Sequence, residues 1–113
     1  MKVREYSFGR ITVGGRTYTS DVIIYPDIVR PSWWRRDGHA LRVEDIEEVL
    51  LYRPEVVIIG TGYYGVMRVP PATIEAVKAR GIEIHAQRTS DAVSLFNELS
   101  DVSKTVACLH LTC

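Results

Sequence analysis

Several things are scarce in this chain. Only two cysteines occur in 113 residues, Cys108 and Cys113. They stand five positions apart in a stretch that reads as extended, VACLHLTC, where an odd separation sends side chains to opposite faces. A mutual disulfide is therefore not expected, and reduced thiols suit a reducing compartment. Charge of one sign is also missing, because 14 basic residues cancel 14 acidic ones. Such a balance leaves no basic field for nucleic acid or an anionic membrane surface, so neither is expected as a partner. No apolar run approaches the roughly 20 residues of a membrane span, and MKVREYSFGR lacks the apolar core of a signal peptide. The expected location is the cytoplasm. Repeats, low-complexity tracts and linkers are absent too, and the length predicts one domain over residues 1–113.

What is present changes period along the chain. Tyr6, Phe8, Ile11 and Val13 lead into Gly14-Gly15, then Tyr18 and the run Val22 to Tyr25. Paired glycines between extended segments predict a type I′ hairpin, since both turn positions need positive φ. Residues 26–38 read as irregular, broken by Pro26, Pro31 and Asp37-Gly38. Val43, Ile46, Val49 and Leu50 then recur at three and four residues, predicting a short helix with an acidic first turn that Pro54 ends. Val56 to Ile59 is a continuous apolar run, as in a strand covered on both faces. Pro71 suits a first helical position, with Gly81 closing that helix. Ile82 to Ala86 is a further strand, Thr89 or Asp91 caps a third helix through Ala92, Phe96 and Leu99, and Thr105 to Leu111 is the last strand.

Strands alternating with helices imply parallel pairing through right-handed crossovers. The expected fold is an α/β domain of three layers: a mixed sheet of three parallel strands, extended by the N-terminal antiparallel strands, with helices packed on it. Open sheets of this kind hold ligands at the carboxyl ends of their strands. The topology gathers Gly60, Thr61 and Gly62 there, with Arg88, Thr89 and Cys113. The segment SWWRRDGH adds Trp33, Trp34, Arg35 and His39.

IIGTGYYG, residues 58–65, has the G-x-G-x-x-G spacing of dinucleotide-binding loops. In that fingerprint the helix opens inside the glycines, whereas here none is predicted before Pro70 or Pro71, and Tyr63-Tyr64 is bulky where close approach is needed. Glu83, about 20 residues on as a ribose-binding acid would be, falls inside a strand. The loop therefore reads as a structural turn or small-anion nest, and no cofactor is expected. The tryptophan pair reads as one buried ring and one interfacial ring. Asp37 beside His39 invites an acid–base reading, set against a plain hydrogen-bonding or capping histidine. Cys108, His110 and Cys113 match no standard zinc spacing, and three residues of one strand cannot all face one ion, so no metal is expected.

SFGRITVGGRTYTSDVII, the W-x-R-x-x-x-H run toward His39, PEVVIIGTG, the T-x-x-A-x-x-x-F-N element from Thr89 to Asn97, and the ending VACLHLTC together resemble a family of small α/β domains. That family includes mitochondrial complex I assembly factor 3, an adipogenesis-associated cytoplasmic protein, and stand-alone bacterial and archaeal proteins. The resemblance implies the layered fold and no established reaction; the eukaryotic relatives look like adaptors or assembly factors. The expected function is a non-enzymatic interaction or assembly module, self-associating or bound to a protein partner through the rim, with an edge strand and the tryptophan loop as contacts. The alternative is a binding protein or enzyme for a small anionic metabolite, with Gly60 to Gly62 supplying amides, Arg35 or Arg88 holding the anion and His39 as acid or base.

Overall fold

The computed structural model describes all of residues 1–113. Hydrophobic alternation explains its layers. A five-stranded sheet runs in the order β5-β4-β8-β6-β7, formed by β4 (Val22–Ile24), β5 (Val29–Pro31), β6 (Val56–Thr61), β7 (Glu83–Gln87) and β8 (Thr105–His110). The strands β7, β6 and β8 are parallel, and β4 and β5 extend the sheet antiparallel beyond β8. Because successive side chains alternate, Ile23, Val57, Ile59, Val106 and Cys108 face one layer, while Val22, Ile24, Val56, Ile58, Ala107 and Leu109 face the other. The first face is covered by α1 (Glu47–Tyr52) with its leading 3-10 turn Val43–Ile46, and by α2 (Pro71–Lys78). Against the second pack Ala92 and Phe96 of α3 (Thr89–Leu99), together with Val3, Ile11 and Val13. The expected mixed sheet between two layers is present.

Its antiparallel part is divided differently from the expectation. The strands β1 (Val3–Ser7), β2 (Arg10–Val13) and β3 (Arg16–Tyr18) form a separate sheet, and only β4 and β5 join the large one. Gly14 and Gly15 both take positive φ, 58° and 81°, as the β2–β3 hairpin requires. The stretch read as irregular contains β5, whose three residues pair with β4 despite Pro26 in the preceding turn and Pro31 at the strand's own end. Pro31 has no N–H, which is tolerated because this strand is the sheet edge.

Helix boundaries follow their local signals. The carboxylate of Asp45 accepts from the amide of Arg42 at 2.9 Å, fixing the first turn, and Arg53 ends α1 in the left-handed region just before Pro54. In α2, Pro71 is the first helical residue. Thr89, by contrast, does not cap α3: Arg88 holds the cap position without a side-chain bond, and the threonine hydroxyl is used elsewhere.

Candidate functional site

The carboxyl ends of β6 and β8 form a rim on which three groups of residues meet.

The glycine turn comes first. Thr89 Oγ1 donates to the carbonyl of His110 at 2.6 Å and accepts from the amide of Gly62 at 2.8 Å, tying α3, β6 and β8 together. Three further turn amides also have partners: Tyr63 donates to the Thr112 carbonyl at 2.9 Å, Gly65 to that of Gly62 at 3.2 Å, and Val66 to that of Cys113 at 3.1 Å. Gly62 has φ +111°, and a Cβ there would lie 2.4 Å from the backbone carbon of Cys113. At Gly60 a Cβ would meet Leu109 and Thr89 Oγ1, each at 2.8 Å. These glycines let α3 and the 112–113 segment close on the strand. A phosphate cradle needs free amides converging on empty space, and here neighbouring backbone and the Thr89 hydroxyl fill that role. Of the expected backbone donors, Gly62 is occupied by the Thr89 hydroxyl, while Gly60 and Thr61 lie in the β6 ladder, where Thr61 Oγ1 donates to the Gln87 carbonyl.

A buried polar cluster is the second group. Asp21, just before β4, accepts from Arg35 Nη1 at 2.9 Å, from His110 Nδ1 at 2.8 Å and from the Leu111 amide at 2.8 Å. A carboxylate oxygen only accepts, so the Asp21 contact places a proton on His110 Nδ1, and the 3.0 Å approach of Arg35 Nη2 to the same nitrogen is then a contact rather than a hydrogen bond. Burial pushes the Asp21 carboxyl up, but the bonds from His110, the Leu111 amide and Arg35 outweigh it and hold the group below the usual carboxylate value. The Arg35 side chain is only 6 % exposed, and its guanidinium lies 4.6 Å from the centroid of the Trp33 ring. Trp33 is buried and donates through Nε1 to the carbonyl of Asp45 at 2.9 Å. Arg35 is thus neutralised within the molecule and does not stand free for an anion.

Third is an aromatic group. The two-residue turn Phe8-Gly9 joins β1 to β2, and the amide of Gly9 donates to the Leu111 carbonyl at 2.9 Å, which carries Phe8 onto the rim. Its ring lies 5.7 Å from that of Tyr63 and 6.1 Å from that of Tyr64, and the two tyrosine rings are 5.0 Å apart. Below them Tyr6 donates to the Leu111 carbonyl at 2.9 Å, and burial raises its pKa to about 12. The upper rings stay open: Phe8 is 51 % exposed, Tyr63 39 % and Tyr64 67 %, and Val66 beside them is also exposed.

The remaining expected residues disperse. Of the tryptophan pair Trp33 is the buried ring; Trp34 is open and lies away from the turn in a cleft of about 390 Å³ with Arg36, Glu44 and Glu47. His39 is exposed, and Asp37 accepts from its backbone amide at 2.8 Å rather than from its ring, so the acid–base pairing does not form. Arg88 and Cys113 are exposed on the rim, and both thiols are free. Cys108 faces the core, where burial drives its pKa far up and keeps it a thiol. No cluster of three His, Cys, Asp or Glu side chains is placed to hold a metal ion. Asp21, Phe8, Tyr63 and Tyr64 escaped the sequence reading as site residues. A hydrophilic acid abutting a wholly buried run and a tyrosine pair in a loop were the signals that could have found them.

Fold and rim together define a small α/β domain, three layers around a mixed sheet, with its residue clusters at the strand ends. No helix is long and apolar enough to cross a membrane. Residues 3–111 match the family described as "Protein of unknown function (DUF498/DUF598)", and the chain belongs to that family. It is similar over its whole length to the whole of a conserved hypothetical protein, PH1505, from Pyrococcus horikoshii, at 28 % identity and TM-score 0.84. A second solved structure, described only as MT938, is 28 % identical with TM-score 0.81, covering 99 % of this chain and 98 % of that one. A Bordetella pertussis protein described as a Mth938-like domain shares the fold at 22 % identity and TM-score 0.67, covering 97 % of this chain and 85 % of that one.

Proposed function

We propose that this protein is a non-enzymatic interaction module that docks a protein partner on the aromatic group of the rim. The carrying observation is the exposure of Phe8, Tyr63 and Tyr64 side by side at the point where β1–β2, β6 and β8 meet. Large rings contribute much contact area at low entropic cost, and a cluster of them in contact with water is the usual mark of a binding surface. The polar groups support the same reading from the other side. The amides of Gly62, Tyr63, Gly65 and Val66 have internal acceptors and Arg35 has its carboxylate, so most of the means for gripping an anionic metabolite are engaged.

Photo-crosslinking tests this. A benzophenone side chain placed at Tyr64 in cells is expected to give a discrete protein adduct that weakens when Phe8→Ser is added. The same group at Val102, equally exposed on the α3–β8 connection, is the control. No adduct at Tyr64, or the same adducts from both positions, would sink the proposal. An adduct with a second copy of the chain would identify the partner as itself.

A further inference from the structure

We infer that the segment docked on this rim is acidic as well as apolar, and that Arg88 receives its carboxylate; the inference rests on the interaction reading above. Arg88 is exposed at the N-terminal cap of α3, next to the aromatic group. Its Nε and Nη2 both donate to the carbonyl of Tyr63, at 3.2 and 3.0 Å. The missing side chain of Gly65 makes room for it, since a Cβ there would come within 3.0 Å of Arg88 Cγ. The guanidinium is thereby held against the turn, and much of the entropic cost of ordering it is met before any partner arrives.

Five N–H groups project from a guanidinium, and the Tyr63 carbonyl takes one from Nε and one from Nη2. What remains is the edge formed by Nη1 and the other Nη2 hydrogen, the fork that binds a carboxylate through two parallel bonds. No carboxylate of this chain uses it. Arg88 belongs to none of the ion pairs, and Asp91, in the first turn of the same helix, does not reach it. The N-terminal end of α3 adds positive potential beside it. Arg88 is thus a preorganised cation without an internal anion, anchored to the backbone of one of the exposed rings.

The size of the patch selects the occupant. Three rings of 150–250 Å² each, about half exposed, present roughly 300 Å² of apolar surface, against about 800 Å² per partner in a standard stable interface. A second globular copy would need more than the patch supplies. A short segment carrying one or two apolar side chains beside a carboxylate fits both its size and its charge.

Fluorescence polarisation with labelled, terminally blocked peptides tests the inference: Leu-Glu-Phe-Glu-Leu, with Gln or Lys replacing both Glu. The Glu peptide is expected to bind about three to ten times more tightly than the Gln peptide, and the Lys peptide more weakly than either. Arg88→Gln should remove the preference for the Glu peptide over the Gln peptide, while Arg88→Lys keeps part of that preference. Tyr64→Ser should weaken both alike. Equal affinity for Glu and Gln peptides, a preference that survives Arg88→Gln, or no binding of any peptide overturns the inference. Tighter binding of an oligothymidylate than of the Glu peptide overturns it as well. In each of these cases a Tyr64 crosslink that depends on Phe8 would still leave the interaction reading standing.

Discussion

Two clusters share one rim and behave oppositely. Asp21, Arg35 and His110 have the residue types of a catalytic or anion-binding site, yet they are nearly buried and bonded to one another. Phe8, Tyr63 and Tyr64 have no reactive chemistry, yet they face solvent. Reactive residue types are therefore a poor guide to which surface is available. A buried carboxylate accepting three hydrogen bonds holds the fold, because leaving any partner unpaired in low dielectric costs more than the bond contributes. The exposed faces of these rings add nothing to the isolated fold and leave apolar surface to give a partner.

Substitutions can break this contrast, beginning with the closed side. Gly62→Val puts a branched side chain at φ +111° and into the backbone of Thr112 and Cys113. It should cost about 4 kcal/mol or more in urea unfolding, combining backbone strain with overpacking. A loss below about 1 kcal/mol would show that the 112–113 segment is not clamped on the turn.

Asp21→Asn is next, at about 3 kcal/mol, since it leaves Arg35 buried without its counter-charge. Its pH dependence has a definite sign. The folded-state pKa of Asp21 is below the usual 3.8, so its contribution is complete above that value and vanishes as pH falls through the depressed one. Wild-type unfolding midpoints measured from neutral pH downward should drop steeply below about pH 4, and the Asn variant should drop less. Parallel acid declines would refute the assignment. Smallest is Tyr64→Ser on the open side, expected within about 0.5 kcal/mol of wild type. A loss comparable to that of Asp21→Asn would mean the aromatic group belongs to the core, and the contrast would collapse.

Much of the fold was legible because its signals are local. Pro71 begins α2, Pro54 follows the end of α1, Gly14-Gly15 makes the hairpin, and Val56–Thr61 is buried at nearly every position, as a central strand should be. The division of the N-terminal strands between two sheets was not legible, because pairing partners are chosen by long-range packing and not by period. The glycine motif was half legible. Its helix starts late, at Pro71, as the prolines imply, but the role the glycines have depends on Thr112 and Cys113, about 50 residues away in sequence.

By itself the sequence determined the periodicities, turns and caps, and through them the alternation of elements and the end of the sheet where loops collect. Tertiary structure decided which loop residues are closed and which are open. Asp21 meets His110 across 89 residues, and Phe8 meets Tyr63 through a hairpin tip bonded to the end of β8. A side chain's local neighbours fix its backbone conformation, whereas its exposure and partners are set by whichever distant segment packs against it.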